Sequence, residues 1–263
     1  MIEAFMLILV GGLAAFVGAI VGLGGGFIIV PSMILLSNLS PKEIVGTSMA
    51  VLVVSSLTST IVFMKQKRID YKSGIYFSVA MFPGSIIGAW ATKYMTSHLF
   101  YVLFGCFMMI MATLVFFKPT QPKNVNLKST IQRNWIDENG EKHDYAFSLK
   151  AGLIASFFVG FLSSLFGIGG GSVMVMFMVL FLFFPPHIAT ATSMLSIFCS
   201  SIIGAGTHLY FGHVIWSYAL WLAIGAFVGG RAGALWSKKI AGPYIMRALS
   251  ICMLLIGFFM VFK

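Results

Sequence analysis

Two glycine clusters, Gly22-Leu23-Gly24-Gly25-Gly26 and Gly167-Ile168-Gly169-Gly170-Gly171, are the stretches of this chain best suited to hold a ligand. Each interrupts a long apolar run, where one Gly costs about 1 kcal/mol relative to Ala in a helix interior. Unwound backbone in a bilayer survives only where protein buries it or a wet cavity faces it. Successive amides in such a turn form a concave donor set, and the positive end of a following helix adds to their attraction for an anion. The candidate ligand residues are therefore Gly24, Gly25 and Gly26 with Gly169, Gly170 and Gly171. Close helix packing is the competing role. It accounts for Gly84-xxx-Gly88 and Gly229-xxx-Gly233, but it does not call for three adjacent glycines.

Hydroxyls follow each cluster at the same distance, as Thr47-Ser48 and Thr192-Ser193. A hydroxyl donates to an oxyanion without the desolvation cost of a fixed charge, although in a helix it often bonds back to its own i−4 carbonyl. Arg231, seven residues before Lys238, is either a cation that draws an anion or a side chain snorkelling to the membrane edge. His187, His208 and His213 stand at segment edges as interface residues or proton switches. All seven carboxylates lie in a polar stretch around 118–148 or at segment ends, as Glu3, Glu43 and Asp70 do. A cation or proton pathway built on a mid-membrane carboxylate is therefore not expected, nor is a nucleophile–base pair, a metal or a cofactor. Glycine amides and hydroxyls suit an anion.

The elements that must position these groups are membrane helices. Of 263 residues 59% are hydrophobic and 9% charged, with a mean hydropathy of +0.98, which excludes a water-soluble globule. The net charge of +10 sits mostly in short loops, so it orients the chain in a membrane rather than binding nucleic acid. Cys106, Cys199 and Cys252, each alone in an apolar run, read as small core residues. The first charge is Glu3 and the first apolar run continues through its glycine cluster, so the N-terminus reads as mature structure rather than a signal peptide.

A constant offset of 145 residues aligns Gly22 with Gly167, Pro41 with Pro186, Thr47-Ser48-Met49 with Thr192-Ser193-Met194, Gly84 with Gly229 and Lys93 with Lys238. The chain thus reads as two copies of one all-helical unit, 1–117 and 149–263, joined by a cytoplasmic linker at 118–148. Each unit holds about four apolar segments: near 5–36, 44–64, 74–91 and 99–117, then 149–184, 188–210, 214–236 and 244–262. The first segment of each is too long for a ~30 Å hydrocarbon core. Either it bends once at the glycines and the repeats are parallel, or it folds back and the repeats are inverted. With Lys65, Lys67, Arg68, Lys72 and the linker inside, folding back leaves 13 basic residues inside and 3 outside, against 11 and 5 for the bent form. The positive-inside rule favours inversion. In the linker, Asn139-Gly140 between mixed polar and aromatic flanks signals a β-hairpin, with a solvated tether as the alternative. No chemistry is assigned to it.

The doubled GxGGG cluster followed by TS, with the later Pro83-Gly-Ser-Ile-Ile-Gly-Ala89, resembles the TauE/SafE family of membrane transporters over nearly the whole chain. The resemblance implies a multi-pass carrier of the bacterial inner membrane for small sulfur-containing anions such as sulfite and organosulfonates, often an exporter. Phe183-Phe184, Ile215 and Val228 depart from the family pattern. The expected partners are a small anion and the lipid bilayer, without nucleic acid, and a homo-oligomer is open. An anion channel and a non-transporting scaffold or assembly protein are the other classes that fit.

Overall fold

The computed structural model describes residues 2–116, 131–136, 142–240 and 243–262; side chains at 134–136, 142–144, 172, 238–240 and 243–249 are not described. Most of the linker, with Asn139-Gly140, and Lys263 therefore lie outside the described residues, as do the side chains of Lys238, Lys239 and Arg247.

Ten helices and one hairpin make up the described chain. In order these are α1 (Ile2–Val21), α2 (Gly26–Leu36), α3 (Pro41–Lys65), α4 (Tyr71–Thr92) and α5 (Ser97–Phe116); β1 (Ile131–Ile136) and β2 (Lys142–Phe147); then α6 (Leu149–Phe166), α7 (Gly171–Leu180), α8 (Pro186–Tyr210), α9 (Trp216–Ile240) and α10 (Pro243–Val261). Seven are long and apolar enough to cross a membrane: α1, α3, α4, α5, α6, α8 and α9. The chain is an all-helical polytopic membrane protein. Both over-long apolar segments are split at their glycines into a long helix and a half-length one, and α2, with 11 residues, rises about 16 Å.

Contacts between named residues fix the helix directions. In α4, Gly84 and Gly88 press on the carbonyls of Phe157 and Phe161 in α6, so the two run parallel. In α9, Gly229 and Gly233 press on Gly12 and Phe16 of α1 in the same sense. Absent side chains let these backbones meet, which is the packing role expected of those four glycines. Ser59 of α3 and Gln66, the residue just past its end, donate to the carbonyls of Gly230 and Ala234, so α3 also runs with α9. Helices α1 and α3 consequently point the same way, and the chain between them comes back along α2. The first segment therefore folds back at its glycines instead of bending once. Between α3 and α8 the numbers oppose: Gly46 meets His213 and Met49 meets Gly204. Helices α5 and α10 are likewise antiparallel, Gly105 lying against Val261 and Gly257 against Met109.

The linker contains an antiparallel hairpin, its register running from Ile131 opposite Phe147 to Ile136 opposite Lys142. It packs on the helices through buried Tyr145 and Phe147, whose rings lie 4.5 and 5.0 Å from that of Phe184. Phe184 thus has a structural reason to be aromatic. The cysteine expectation needs correction, since Cys106 and Cys252 are exposed and Cys199 half-buried. The outward faces of these helices are as apolar as the core, with Leu103, Ile110, Ile251 and Leu255 all exposed. An apolar neighbourhood in the sequence therefore does not separate core from lipid face.

Candidate functional site

Each glycine knot is a sharp reversal held by backbone. In the first, the amides of Gly22 and Leu23 both donate to Gly18 O at 2.8 Å, and Gly22, Gly24 and Gly25 take positive φ. Gly25, at φ 99°, lies so close to α1 that a Cβ there would come within 2.7 Å of Ala14 O. Gly167, Gly169 and Gly170 repeat the positive φ values in the second knot. At the start of α2 and α7, Gly25 and Gly170 occupy the N-cap with no side-chain hydrogen bond. Neither N-cap residue supplies a side-chain acceptor to its helix. Such ends carry about half a positive charge each and unsatisfied amides.

The knots meet each other. Gly26 lies against Gly167 and Ile168, Gly171 against Gly22 and Leu23, and both Gly24 and Gly169 face Leu52 of α3 and Ile197 of α8. Every residue of both knots is buried, and Leu52 and Ile197, themselves fully buried, fill the space between them. Both contacts fall near the midpoints of α3 and α8.

The Thr-Ser pairs tie one half of the chain to the other. Ser48 Oγ donates to Gly167 O at 2.6 Å, and Ser193 Oγ donates to Gly22 O at 3.3 Å and to Thr190 O at 2.8 Å. Thr47 Oγ1 accepts from the Ile215 amide, and Thr192 Oγ1 accepts from the Asp70 amide, each at 3.0 Å. Adding 145 to one residue of each bond and subtracting it from the other gives the second bond of each pair. The serines spend their protons on knot carbonyls, whereas the threonines, used here as acceptors, retain a proton to donate. Ser55 Oγ, donating to Gly24 O at 3.1 Å, braces the first knot further. All ten glycine and hydroxyl candidates thus converge on one buried centre or its immediate braces. Arg231 does not join them, because its side chain is exposed on α9.

Of the two turns that cap this centre, sequence reasoning singled out the histidines of the α8–α9 turn but not the cluster of the α3–α4 turn. In the α3–α4 turn, Asp70 caps α4 by accepting from the Ser73 amide at 3.1 Å, receives the Tyr145 hydroxyl at 2.9 Å, and lies 3.4 Å from Arg133 Nε. Burial, with the Asp70 carboxylate beside it, pushes the Tyr145 hydroxyl well above the usual phenol range. Arg68, also buried, donates to Gln66, to Ser237 and to both the carbonyl and Nδ1 of His187, with its guanidinium 5.0 Å from the Phe63 ring centre. The hairpin, expected to carry no chemistry, therefore supplies two partners to a buried carboxylate. In the α8–α9 turn, His213 and His208 approach through their Nδ1 atoms at 3.1 Å, and His208 Nε2 lies 3.0 Å from Ser164 O. Burial and then Lys42 push the His213 imidazole below its ordinary value.

Two half-length helices that start at adjoining glycine knots, between antiparallel apolar helices, resemble the discontinuous helices of membrane transporters. The chain matches the family described as Sulfite exporter TauE/SafE over residues 7–260, and it belongs to that family. It is 42% identical over 260 residues to the probable membrane transporter protein YunE of Bacillus subtilis strain 168, covering 96% of this chain and 95% of that protein. A probable membrane transporter protein of Methanocaldococcus jannaschii is 27% identical over 97% of this chain and 94% of its own. The probable membrane transporter protein YfcA of Escherichia coli K12 is 27% identical over 84% and 76%. No solved structure matches.

Proposed function

We propose that the paired knots bind a small anion of the sulfur-oxyanion class, sulfite or an organosulfonate, and that the protein exports it across the bacterial inner membrane by alternating access. The observation that carries this is that the two half-helices start at glycine N-caps, Gly25 and Gly170, in knots that adjoin near the midpoints of α3 and α8, Gly26 against Gly167-Ile168 and Gly171 against Gly22-Leu23. Anionic groups are stabilised at such ends, and in discontinuous membrane helices these ends form substrate sites. Thr47 and Thr192 add donors, while Leu52 and Ile197 part to admit the anion. An inside-negative potential drives an anion outward by about 2.3 kcal/mol per charge per 100 mV.

Inverted repeats, 1–117 and 149–263, fit this reading. Antiparallel α3 and α8, and the exchange of hydrogen bonds under the 145-residue offset, support a two-fold axis lying across the helices. The site is then shared equally by the two halves, and each outer turn closes one side of it.

The test is uptake of radiolabelled sulfite, thiosulfate, sulfate and a short sulfonate into proteoliposomes at several imposed potentials. Saturable flux of one or more of these, lost with Thr47→Val and Thr192→Val together, supports a carrier. Flux that does not saturate makes it a channel, and indifference of all four fluxes to the protein discards the sulfur-anion reading. Topology has its own test. Cysteines placed beside Lys93 and beside Lys238 should be labelled by an impermeant reagent from opposite faces, and same-face labelling overturns inversion.

A further inference from the structure

We propose that His208 and His213 form a proton site at the α8–α9 end of the protein, and that it takes up one proton together with the anion. The inference rests on the anion reading of the knots and adds a bound proton to its occupied state.

The geometry assigns the protons. A backbone carbonyl only accepts, so His208 must donate from Nε2 to Ser164 O. In the neutral ring its Nδ1 is then a bare acceptor, and His213 must donate to it from Nδ1 across the 3.1 Å gap. That leaves His213 Nε2 as the basic nitrogen of the pair. An incoming proton forms a bond there while hydronium becomes water. The His213 Nδ1–H bond then breaks as the His208 Nδ1–H bond forms, and His213 is left neutral with its proton on Nε2. The net result is one added proton, with its charge carried to His208. His208 is fully buried and bound to Ser164, three residues before Gly167 of the second knot. A positive charge thus arrives beside the anion centre from one end of the molecule.

The charges around His213 oppose its protonation until an anion is present. His213 faces Lys42 and Glu43 from the start of α3 and Lys93 from the end of α4, while His208 approaches His213 and the Ser164 carbonyl. Two lysines against one glutamate oppose protonation, and an anion entering the knots offsets them. Beside the second knot, Ser163 and Ser164 also carry buried hydroxyls with no hydrogen-bond partner, groups that an entering anion or water would satisfy. The opposite end shows that this position holds a cation. Under the 145-residue offset His213 corresponds to Arg68 and His208 to Phe63, and there Arg68 lies over the Phe63 ring. One end of the molecule holds a permanent cation over a ring, and the other a titratable pair in the same places.

Linkage makes the effect reciprocal: a proton that strengthens anion binding is itself bound more tightly when the anion is present. The experiment is calorimetric titration of the purified full chain with ethanesulfonate and thiosulfate, strong-acid anions that stay deprotonated, in buffers of differing ionisation enthalpy from pH 5.5 to 8. The wild type should take up close to one proton per anion, and apparent affinity should weaken about tenfold per pH unit above the midpoint of the pair. His213→Gln and His208→Gln should each abolish the uptake and flatten the profile. Nitrogen NMR of histidine-labelled wild type should show His213 protonated at Nδ1 and His208 at Nε2 at pH 8, a readout that needs no variant. Anion binding without proton uptake by the wild type, uptake that survives in both variants, or the opposite tautomers overturns the proton site while leaving the anion reading intact. Absence of anion binding at every pH overturns both.

Discussion

The two turns that cap the glycine knots occupy corresponding places and are built from opposite materials. At the α3–α4 turn the Asp70 amide is received by Thr192, and the Asp70 side chain gathers Ser73, Tyr145 and Arg133. At the α8–α9 turn the Ile215 amide is received by Thr47, and an apolar side chain stands in the place of the carboxylate. Arg68 is permanently charged, whereas its counterpart His213 titrates. The backbone scaffold is thus common to both ends, and the side chains that decide what holds each end closed are not. A buried ionic cluster roofed by a β-hairpin stands at one turn, and a contacting pair of histidines at the other.

If that contrast is right, the largest effect belongs to Asp70→Ala. It removes the α4 cap, worth about 1 kcal/mol, and leaves the buried Tyr145 hydroxyl and Arg133 without their acceptor, at about 1–3 kcal/mol for such orphaned groups. A loss of about 3–4 kcal/mol in detergent unfolding is expected, with the hairpin losing its protection from hydrogen exchange. Ile215→Ala, at the matching position, should cost about half as much. Equal losses at the two ends would erase the distinction.

Next in size are Gly25→Ala and Gly170→Ala. Both positions combine positive φ with contact that a Cβ would violate, Ala14 O for the first and the Val159 side chain for the second. Left-handed backbone at a non-Gly residue costs about 1–3 kcal/mol, and the clash adds to it, so about 2–3 kcal/mol of stability should be lost at each. The melting temperature of the detergent-solubilised protein measures this. These glycines are therefore needed to form the knots, and loss of transport on replacing them would not by itself show that they bind the anion.

How far the sequence revealed these features follows from what each feature leaves in it. The knots, the Thr-Ser pairs and the packing glycines were legible because each depends on a residue type that recurs at a fixed spacing, and the structure brings those pairs together. Fold-back at the knots was favoured only by loop charges, because the direction of α2 is set by contacts between distant helices. The Asp70 cluster left no local trace: Tyr145 and Arg133 lie 75 and 63 positions further along the chain. A hairpin signal says that two strands pair, but not what their faces meet. The two roles open to Arg231 could not be told apart for a related reason, since the exposed and buried sides of a membrane helix differ little in composition.

The pH response sharpens the contrast between the ends. Burial and Lys42 hold the His213 imidazole below its ordinary value of about 6.5, so the folded protein prefers the neutral ring. Above pH ~6.5 both folded and unfolded chains are neutral there, and the contribution to stability is complete. As pH falls below that point the unfolded chain takes the proton first, and stability is lost until the folded ring titrates too. The melting temperature of the wild type should therefore drop as pH is lowered from 7 towards 5 by more than that of His213→Gln. Identical slopes would mean that this turn does not titrate as its surroundings dictate.

The smallest expected effect tests how evenly the two halves share the centre. Ser48 has one recorded acceptor, Gly167 O at 2.6 Å, while Ser193 divides its hydroxyl between Gly22 O at 3.3 Å and Thr190 O at 2.8 Å. Thr190 lies one turn back in the same helix, a bond that forms with or without the opposite knot. Ser48→Ala removes the better cross-chain bond and leaves a buried knot carbonyl short of a donor, for about 1–1.5 kcal/mol. Ser193→Ala removes a long bond of poorer geometry and should cost about 0.5 kcal/mol. Because the serines donate to the knots and not towards an anion, both variants should keep wild-type anion affinity once folded, in contrast to Thr47→Val and Thr192→Val. Denaturant midpoints and anion titrations on the same four variants measure this. A loss of affinity in the serine variants equal to that in the threonine variants would mean that the serine hydroxyls turn to the anion when the knots open.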